Sequence, residues 1–353
     1  MPSADRQGLG ILSLLHATVL LALFYMLLSR LSPLSPSSAS PSLPVAALAS
    51  LLPAMVLGRL FRPVRYYLRL TTFLLGLATN SVVGVVASLV MSAMGKAGDV
   101  NWFVARSFWK STAPLLGVTF RVEGEEHLTE RKGPVVMVGN HQTMVDILYL
   151  GRIFPKGASI MAKRELKFMP LLGQFMTFSN AIFIKRAKRD DAIKIFAKVA
   201  EEMKAKSLSL FIFPEGTRSA SPVPSLLPFK KGAFHLAVQA QVPIVPIVCE
   251  NYAGVYNSKA RRFEGGEIVI RVLPPIATEG TTSSSEDIGA LTDKTRNAML
   301  EAIEDLGRLR GDTNRIEQGR TSGRVTAAEG EQQEEPTESS RLLPGVDGVV
   351  GER

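Results

Sequence analysis

Cysteine is almost missing from this chain. A single residue, Cys249, among 353 excludes an intramolecular disulfide and any metal site built on cysteine spacing. Histidine is scarce as well: His16, His127, His141 and His235 stand far apart, so no imidazole cluster predicts a structural metal. No motif recurs at a solenoid period. The net charge of +9 would suit a polyanion, but no nucleic-acid-binding module accompanies it, and nucleic acid is set aside as a partner.

Charge is itself missing from residues 9–28, a run close to the ~20 apolar residues needed to cross a bilayer core. It reads as a transmembrane helix. A cleaved signal peptide competes, since Arg6 precedes the run, but the stretch exceeds the usual ~7–15 residues of such a leader. A shorter apolar segment, 44–58, follows a Ser/Pro-rich stretch at 32–42 and leads directly into Arg59, Arg62, Arg65 and Arg69. The positive-inside rule puts those arginines in the cytosol, making residues 1–69 a membrane hairpin. The third apolar region, 70–94, is dotted with Thr71, Thr72, Thr79, Asn80, Ser81 and Ser88. A full crossing there would put the rest of the chain in the lumen, whereas the following Lys96, Arg106 and Lys110 favour the cytosol. An embedded or re-entrant helix is therefore expected.

Trp102, Phe103, Arg106, Trp109 and Lys110 lie close together, as on a helix at a membrane interface or one packed on a core; residues 70–118 form the second unit. Beyond residue 120 the pattern changes. Short β-branched runs at 135–138, 181–184, 208–213, 242–248 and 268–272 predict strands. Helical patterns at 144–153, 190–204 and 231–239 fall between them, and an amphipathic helix at 288–306 follows the capping-type residues Ser283, Ser284 and Ser285. This alternation predicts an α/β domain over 119–310 with a mostly parallel sheet flanked by helices, preceded by the transmembrane and membrane-embedded helices. Residues 311–353 are polar and poor in aromatics, which predicts a disordered tail.

Two short motifs carry chemistry. His141 directly follows the predicted strand 135–138, and Asp146 is five residues on. Helical neighbours are three or four apart, so the two side chains meet only if His141 sits on a turn before a helix that holds Asp146. Asp146 would then fix one ring nitrogen and leave the other basic. No serine or cysteine nucleophile accompanies the pair, which suits direct deprotonation of an external hydroxyl. The second motif spans 213–219, where Pro214 stops a strand and Gly216 permits a turn exposing Glu215 and Arg218. A guanidinium there can clamp a phosphate in bidentate fashion. Taken singly, each motif could also be structural, a histidine satisfied by an aspartate or a Glu/Arg pair closing a turn. Arg186, beside Lys185, Lys188 and Arg189, is a second candidate or part of a solvated basic face.

With these residues in view, the chain resembles the glycerolipid acyltransferase superfamily, and within it the 1-acylglycerol-3-phosphate acyltransferases. The likeness spans about 121–272. Asn140, His141 and Asp146 match the Asn-His-x4-Asp motif; Ala181 to Arg186 is similar to an apolar run ending in arginine; 213–219 matches Phe-Pro-Glu-Gly-Thr-Arg-Ser throughout; and 242–246 matches a Val-Pro-Ile-Val-Pro strand. A Lys-x-Glu-Leu element is present at Lys163. One departure is that Asn180 and Ala181 stand where glycine often precedes the second motif.

The resemblance implies transfer of an acyl group from acyl-CoA, as co-substrate and with no cofactor, to the sn-2 hydroxyl of lysophosphatidic acid. His141 would be the base and Asp146 its support. Arg218 and Arg186 would hold the acceptor phosphate, Glu215 and Gly216 would shape that pocket, and Lys163 is a further candidate for an anion. It implies membrane lipid as partner and the endoplasmic reticulum membrane as location, with the catalytic domain cytosolic; a lipid-droplet pool is an alternative. Pro243 and Pro246 would shape a strand near the acyl site, the alternative being an edge or bent core strand without direct contact. Another lysophospholipid or glycerol 3-phosphate as acceptor, or a non-catalytic lipid-binding protein, are the competing readings.

Overall fold

The computed structural model describes residues 61–311 apart from 131, 132, 180 and 185–188. The expected hairpin up to residue 60, the expected tail from 312 and Arg186 lie outside the described residues.

The third apolar region is one continuous helix, α1 (Arg62–Ala93), which starts on Pro63 in its first turn. Its 32 residues give a length of about 48 Å. Among the described residues it is the one helix long and apolar enough to cross a membrane. The division drawn between residues 69 and 70 falls inside it, and Arg65 and Arg69 anchor the helix to the domain. Arg65 pairs with Glu264 at 2.7 Å, and Arg69 donates to the Phe263 carbonyl at 3.2 Å. One stripe of α1, including Phe73, Gly76, Asn80, Gly84 and Ala87, is buried against the domain, while Leu74, Val82, Val86, Leu89 and Val90 face outward.

Helix α2 (Val100–Leu116) buries Val104, Phe108 and Leu116 and stops at Gly117, whose φ of 64° is the left-handed closure that glycine adopts freely. The aromatic and basic cluster therefore belongs to a helix packed on the core. The guanidinium groups of Arg106 and Arg152 each lie 5.6 Å from the centre of its Trp109 ring.

The sheet has seven strands: β1 (Val118–Glu123), β2 (Val136–Gly139), β3 (Ala158–Lys163), β4 (Ile182–Ile184), β5 (Ser209–Ile212), β6 (Ile244–Cys249) and β9 (Gly266–Val272), in the order β1-β9-β6-β2-β5-β3-β4. A two-stranded hairpin, β7 (Tyr256–Asn257) and β8 (Arg262–Phe263), stands apart. All pairings in the sheet are parallel except β6 with β9. Strands β2, β5 and β6 are buried at every residue, as befits parallel strands covered on both faces. Pro246 lies opposite Val138 of β2 and just before the ladder with β9 begins at Ile247; its carbonyl still accepts from the Leu273 N–H at 2.9 Å.

Helices α1, α2 and α3 (Asp146–Ile153) enclose one core through Phe73, Phe108, Leu116 and Leu148. Helices α5 (Arg189–Ala205), α6 (Gly232–Ala240) and α7 (Ser285–Leu309) enclose the other through Met203, Phe234 and Ile303. The sequence reading of α7 extends to its cap, since the Ser284 side chain accepts from the Asp287 N–H at 3.0 Å. A short helix, α4 (Leu172–Phe178), lies between β3 and β4 and meets α1, Phe175 packing against Gly84. Three central strands end side by side at Gly139, Ile212 and Cys249, and this carboxyl edge is where the motifs emerge.

Candidate active site

The turn that follows β2 is built by side chains rather than by capping residues. Gly139 permits the close approach of Phe211, whose ring would lie 2.5 Å from a Cβ at this position. The Asn140 side chain then pairs with β6 in both directions, donating to the Cys249 carbonyl and accepting from the Cys249 N–H, each at 2.8 Å. Its own carbonyl accepts from the Tyr149 hydroxyl at 3.2 Å. Cys249 is buried, as suits a small, weakly polar side chain.

With Asn140 pinned, His141 lies on the turn and Asp146 opens α3, which is the arrangement their spacing requires. His141 Nδ1 and Asp146 Oδ2 are 2.6 Å apart. The same oxygen accepts the N–H groups of Gln142 at 2.7 Å and Thr143 at 3.0 Å, and Oδ1 accepts from the Tyr252 hydroxyl. Asp146 is fully buried, and these donors stabilise its carboxylate in place of water. A carboxylate on Nδ1 fixes the proton there, so Nε2 keeps its lone pair. The imidazole stacks on Phe213 with ring centres 4.0 Å apart and remains partly accessible.

Glu215 joins the two motifs. Its carboxylate is buried; Oε1 accepts from the His141 N–H at 2.7 Å and Oε2 from the Leu227 N–H at 3.0 Å. Burial pushes its carboxyl up to about 7, against the opposing effect of the two amides. Both oxygens are thus given to backbone, and Glu215 acts on the pocket through the loops it holds. Gly216 has φ of 66°, in the left-handed region, and its N–H reaches the Phe213 carbonyl at 3.0 Å. Further on, Ser219 N–H and Ala220 N–H donate to the carbonyls of His141 and Gln142 at 2.9 and 3.0 Å, so the motifs run side by side. Arg218 lies between these contacts, exposed to solvent.

Lys163 ends β3, where its backbone is in register with Ile184 at the end of β4. Sequence reasoning missed Tyr252, which is 1% exposed and also meets Thr143 Oγ1 at 2.8 Å. Its only signal was position, four residues beyond a predicted strand that ends at the same sheet edge. Gln142 was missed too; its amide donates to the carbonyls of Cys249 and Glu250 at 3.1 and 2.8 Å. Among the described residues no three His, Cys, Asp or Glu side chains converge as a metal requires. Next to Asp146, Ile147 lines an apolar cavity of about 110 Å³ with Leu77, Val104, Phe108, Leu150 and Phe175. The site therefore offers an oriented base and, on the neighbouring loop, an exposed cation in Arg218.

Comparison with known proteins agrees with this chemistry. A family model described as Acyltransferase matches residues 119–250. An uncharacterized acyltransferase of Schizosaccharomyces pombe is 42% identical over 250 residues, covering 70% of this chain and 88% of that protein. The 1-acyl-sn-glycerol-3-phosphate acyltransferase of Saccharomyces cerevisiae is 41% identical over 242 residues, covering 69% of this chain and 78% of its relative. In three dimensions the crystal structure of the 1-acyl-sn-glycerophosphate acyltransferase of Thermotoga maritima superposes with a TM-score of 0.56 at 24% identity, covering 70% of this chain and 98% of that one. The paired motifs, their placement on one sheet edge and these relatives have a single reading: the chain belongs to the 1-acyl-sn-glycerol-3-phosphate acyltransferase family.

Proposed function

We propose that this protein transfers a fatty acyl group from acyl-CoA to the sn-2 hydroxyl of 1-acylglycerol 3-phosphate, yielding phosphatidic acid and free CoA. The observation that carries the reading is the oriented pair His141–Asp146, tied by Glu215 to the loop that presents Arg218. Nε2 of His141 takes the hydroxyl proton as the oxygen attacks the thioester carbonyl. The tetrahedral intermediate then collapses, the carbon–sulfur bond breaks, and the departing thiolate recovers the proton from His141. Asp146 supports the transient imidazolium and, being saturated with donors, keeps the ring in one tautomer.

Arg218, Arg186 and Lys163 are proposed to bind the acceptor phosphate, with Gly216 giving the turn its shape. Acyl-CoA serves as co-substrate, and the reading calls for no cofactor. Both substrates carry acyl chains, which the apolar cavity beside Ile147 and the outward apolar face of α1 suit. Because α1 is anchored to the domain near its start and again at Gly84, it fits an embedded helix on the cytosolic face of the endoplasmic reticulum membrane or a lipid droplet.

The test is CoA release by membranes containing the protein, with 1-acylglycerol 3-phosphate, 1-acylglycerol 3-phosphocholine or glycerol 3-phosphate as acceptor and His141→Ala as the blank. Activity confined to the first acceptor is expected. Activity mainly with another would change the acceptor, and none above the blank would leave a lipid-binding role.

A further inference from the structure

We infer that Lys230 is an additional binding residue for a substrate phosphate, held across the Gly216 turn beside Arg218. This inference rests on the proposed function for its ligand, a phosphate group carried by the acceptor or by CoA.

A Cβ built on Gly216 would stand 3.0 Å from both Cε and Nζ of Lys230 and 3.1 Å from its Cδ, so the lysine side chain lies directly over the motif's glycine. Glycine is demanded here mainly by its positive φ, since a flexible lysine tip could give way to a methyl group. The lysine is also fixed at its base. Its N–H donates to the Pro214 carbonyl at 2.8 Å, and three residues earlier Leu227 N–H is held by Glu215. From the other side, the Arg296 guanidinium reaches the Leu226 carbonyl at 3.0 Å. One carboxylate, Glu215, therefore sets the position of both the His141 backbone and the segment that carries Lys230.

Lys230 is exposed, and among the described residues neither an ion pair nor a hydrogen bond engages its ammonium. Glu215, the nearest acid along the chain, has both oxygens committed to backbone amides. Arg218 is likewise exposed and two residues from Gly216. Lys230 lies over the glycine turn and Arg218 stands two residues along it, on a loop pinned relative to His141, so both cations are available to a phosphate. The adjacent Lys231 is directed elsewhere, its ammonium 3.9 Å from a Cβ built on Gly289 of α7.

The experiment compares Lys230→Ala, Lys230→Arg and Lys231→Ala in the full chain, measuring KM for 1-acylglycerol 3-phosphate and for acyl-CoA separately. Phosphate-dependent binding is read independently of turnover, as the rise in melting temperature that 1-acylglycerol 3-phosphate or CoA gives to solubilised protein. For Lys230→Ala the KM of one substrate should rise about tenfold with kcat little changed, a loss of ~1.4 kcal/mol in binding. Lys230→Arg should restore part of it, and Lys231→Ala should match the wild type. A rise in the acceptor KM assigns the acceptor phosphate; a rise in the acyl-CoA KM assigns a CoA phosphate. Unchanged KM values together with an unchanged ligand-induced melting rise would overturn the inference. Should the wild type acylate none of the acceptors, the proposed function fails on its own; the melting rise, lost or kept in Lys230→Ala, still decides the lysine's role.

Discussion

Asp146 has no water to rely on, so each of its hydrogen bonds is a functional element. Tyr252→Phe removes the donor to Oδ1 together with the contact to Thr143 Oγ1. A buried acceptor left unpaired costs ~1–3 kcal/mol. We expect kcat to fall about tenfold with KM nearly unchanged, and melting of the variant beside steady-state kinetics checks both parts. Glu215 carries a pH signature. Its carboxyl at about 7 in the folded protein lies above the ordinary 4.5, so the folded state holds this proton more tightly than the unfolded chain. The sign follows: its contribution is greatest below pH 4.5 and is lost as pH rises to about 7, by up to ~3 kcal/mol. Glu250, raised to about 7 by burial, adds a similar slope. Denaturant unfolding between pH 4.5 and 7 should therefore show a falling stability, and Glu215→Gln should remove roughly half of that fall. The His141–Asp146 pair was legible in the sequence because its spacing lets the two side chains meet in only one local geometry. Tyr252 and Lys230 were not, since their roles arise from loops brought together by a fold in which nothing local marks them.

Elements were legible where burial writes a pattern. The β-branched runs that became β2, β4, β5, β6 and β9 stood out, and so did α5, α6 and α7. Strands β1 and β3 did not: β1 mixes charged residues into an edge strand, and β3 is a short run containing alanine, serine and lysine. Helix α4, seven residues beginning Leu-Gly, lacks the length that periodicity needs. The packing of α3 on α2 depends on Gly151, where a Cβ would meet the Ala105 carbonyl at 2.5 Å and Trp109 Cβ at 2.6 Å. Gly151→Ala should therefore destabilise, overpacking of ~1–3 kcal/mol outweighing better helix propensity. At Gly289 in α7 the nearest foreign atom is the tip of Lys231 at 3.9 Å, so the same change should stabilise by up to ~1 kcal/mol. Opposite shifts in melting temperature are the check.

Residues 61–311 form a three-layer domain with one long apolar helix strapped along it, and the candidate site and the exposed apolar face of that helix are separate features of the surface. The outer side of α1 leaves Val86 56% and Leu89 61% exposed. Apolar patches of this kind mark contact with lipid or partners. The double change Val86→Glu and Leu89→Glu should leave melting in detergent within ~0.5 kcal/mol while lowering activity on bilayer-embedded acceptor about tenfold; comparison with a short-chain soluble acceptor, which should be spared, checks the assignment. The central claim is base-assisted acyl transfer by His141. It is tested most directly by supplying acyl-CoA labelled in its acyl chain together with unlabelled 1-acylglycerol 3-phosphate and locating the label in the product. The account requires label at the sn-2 position of phosphatidic acid with the wild-type chain, and its loss in a folded His141→Ala variant. Label in a different lipid, or undiminished incorporation by that variant, would contradict it.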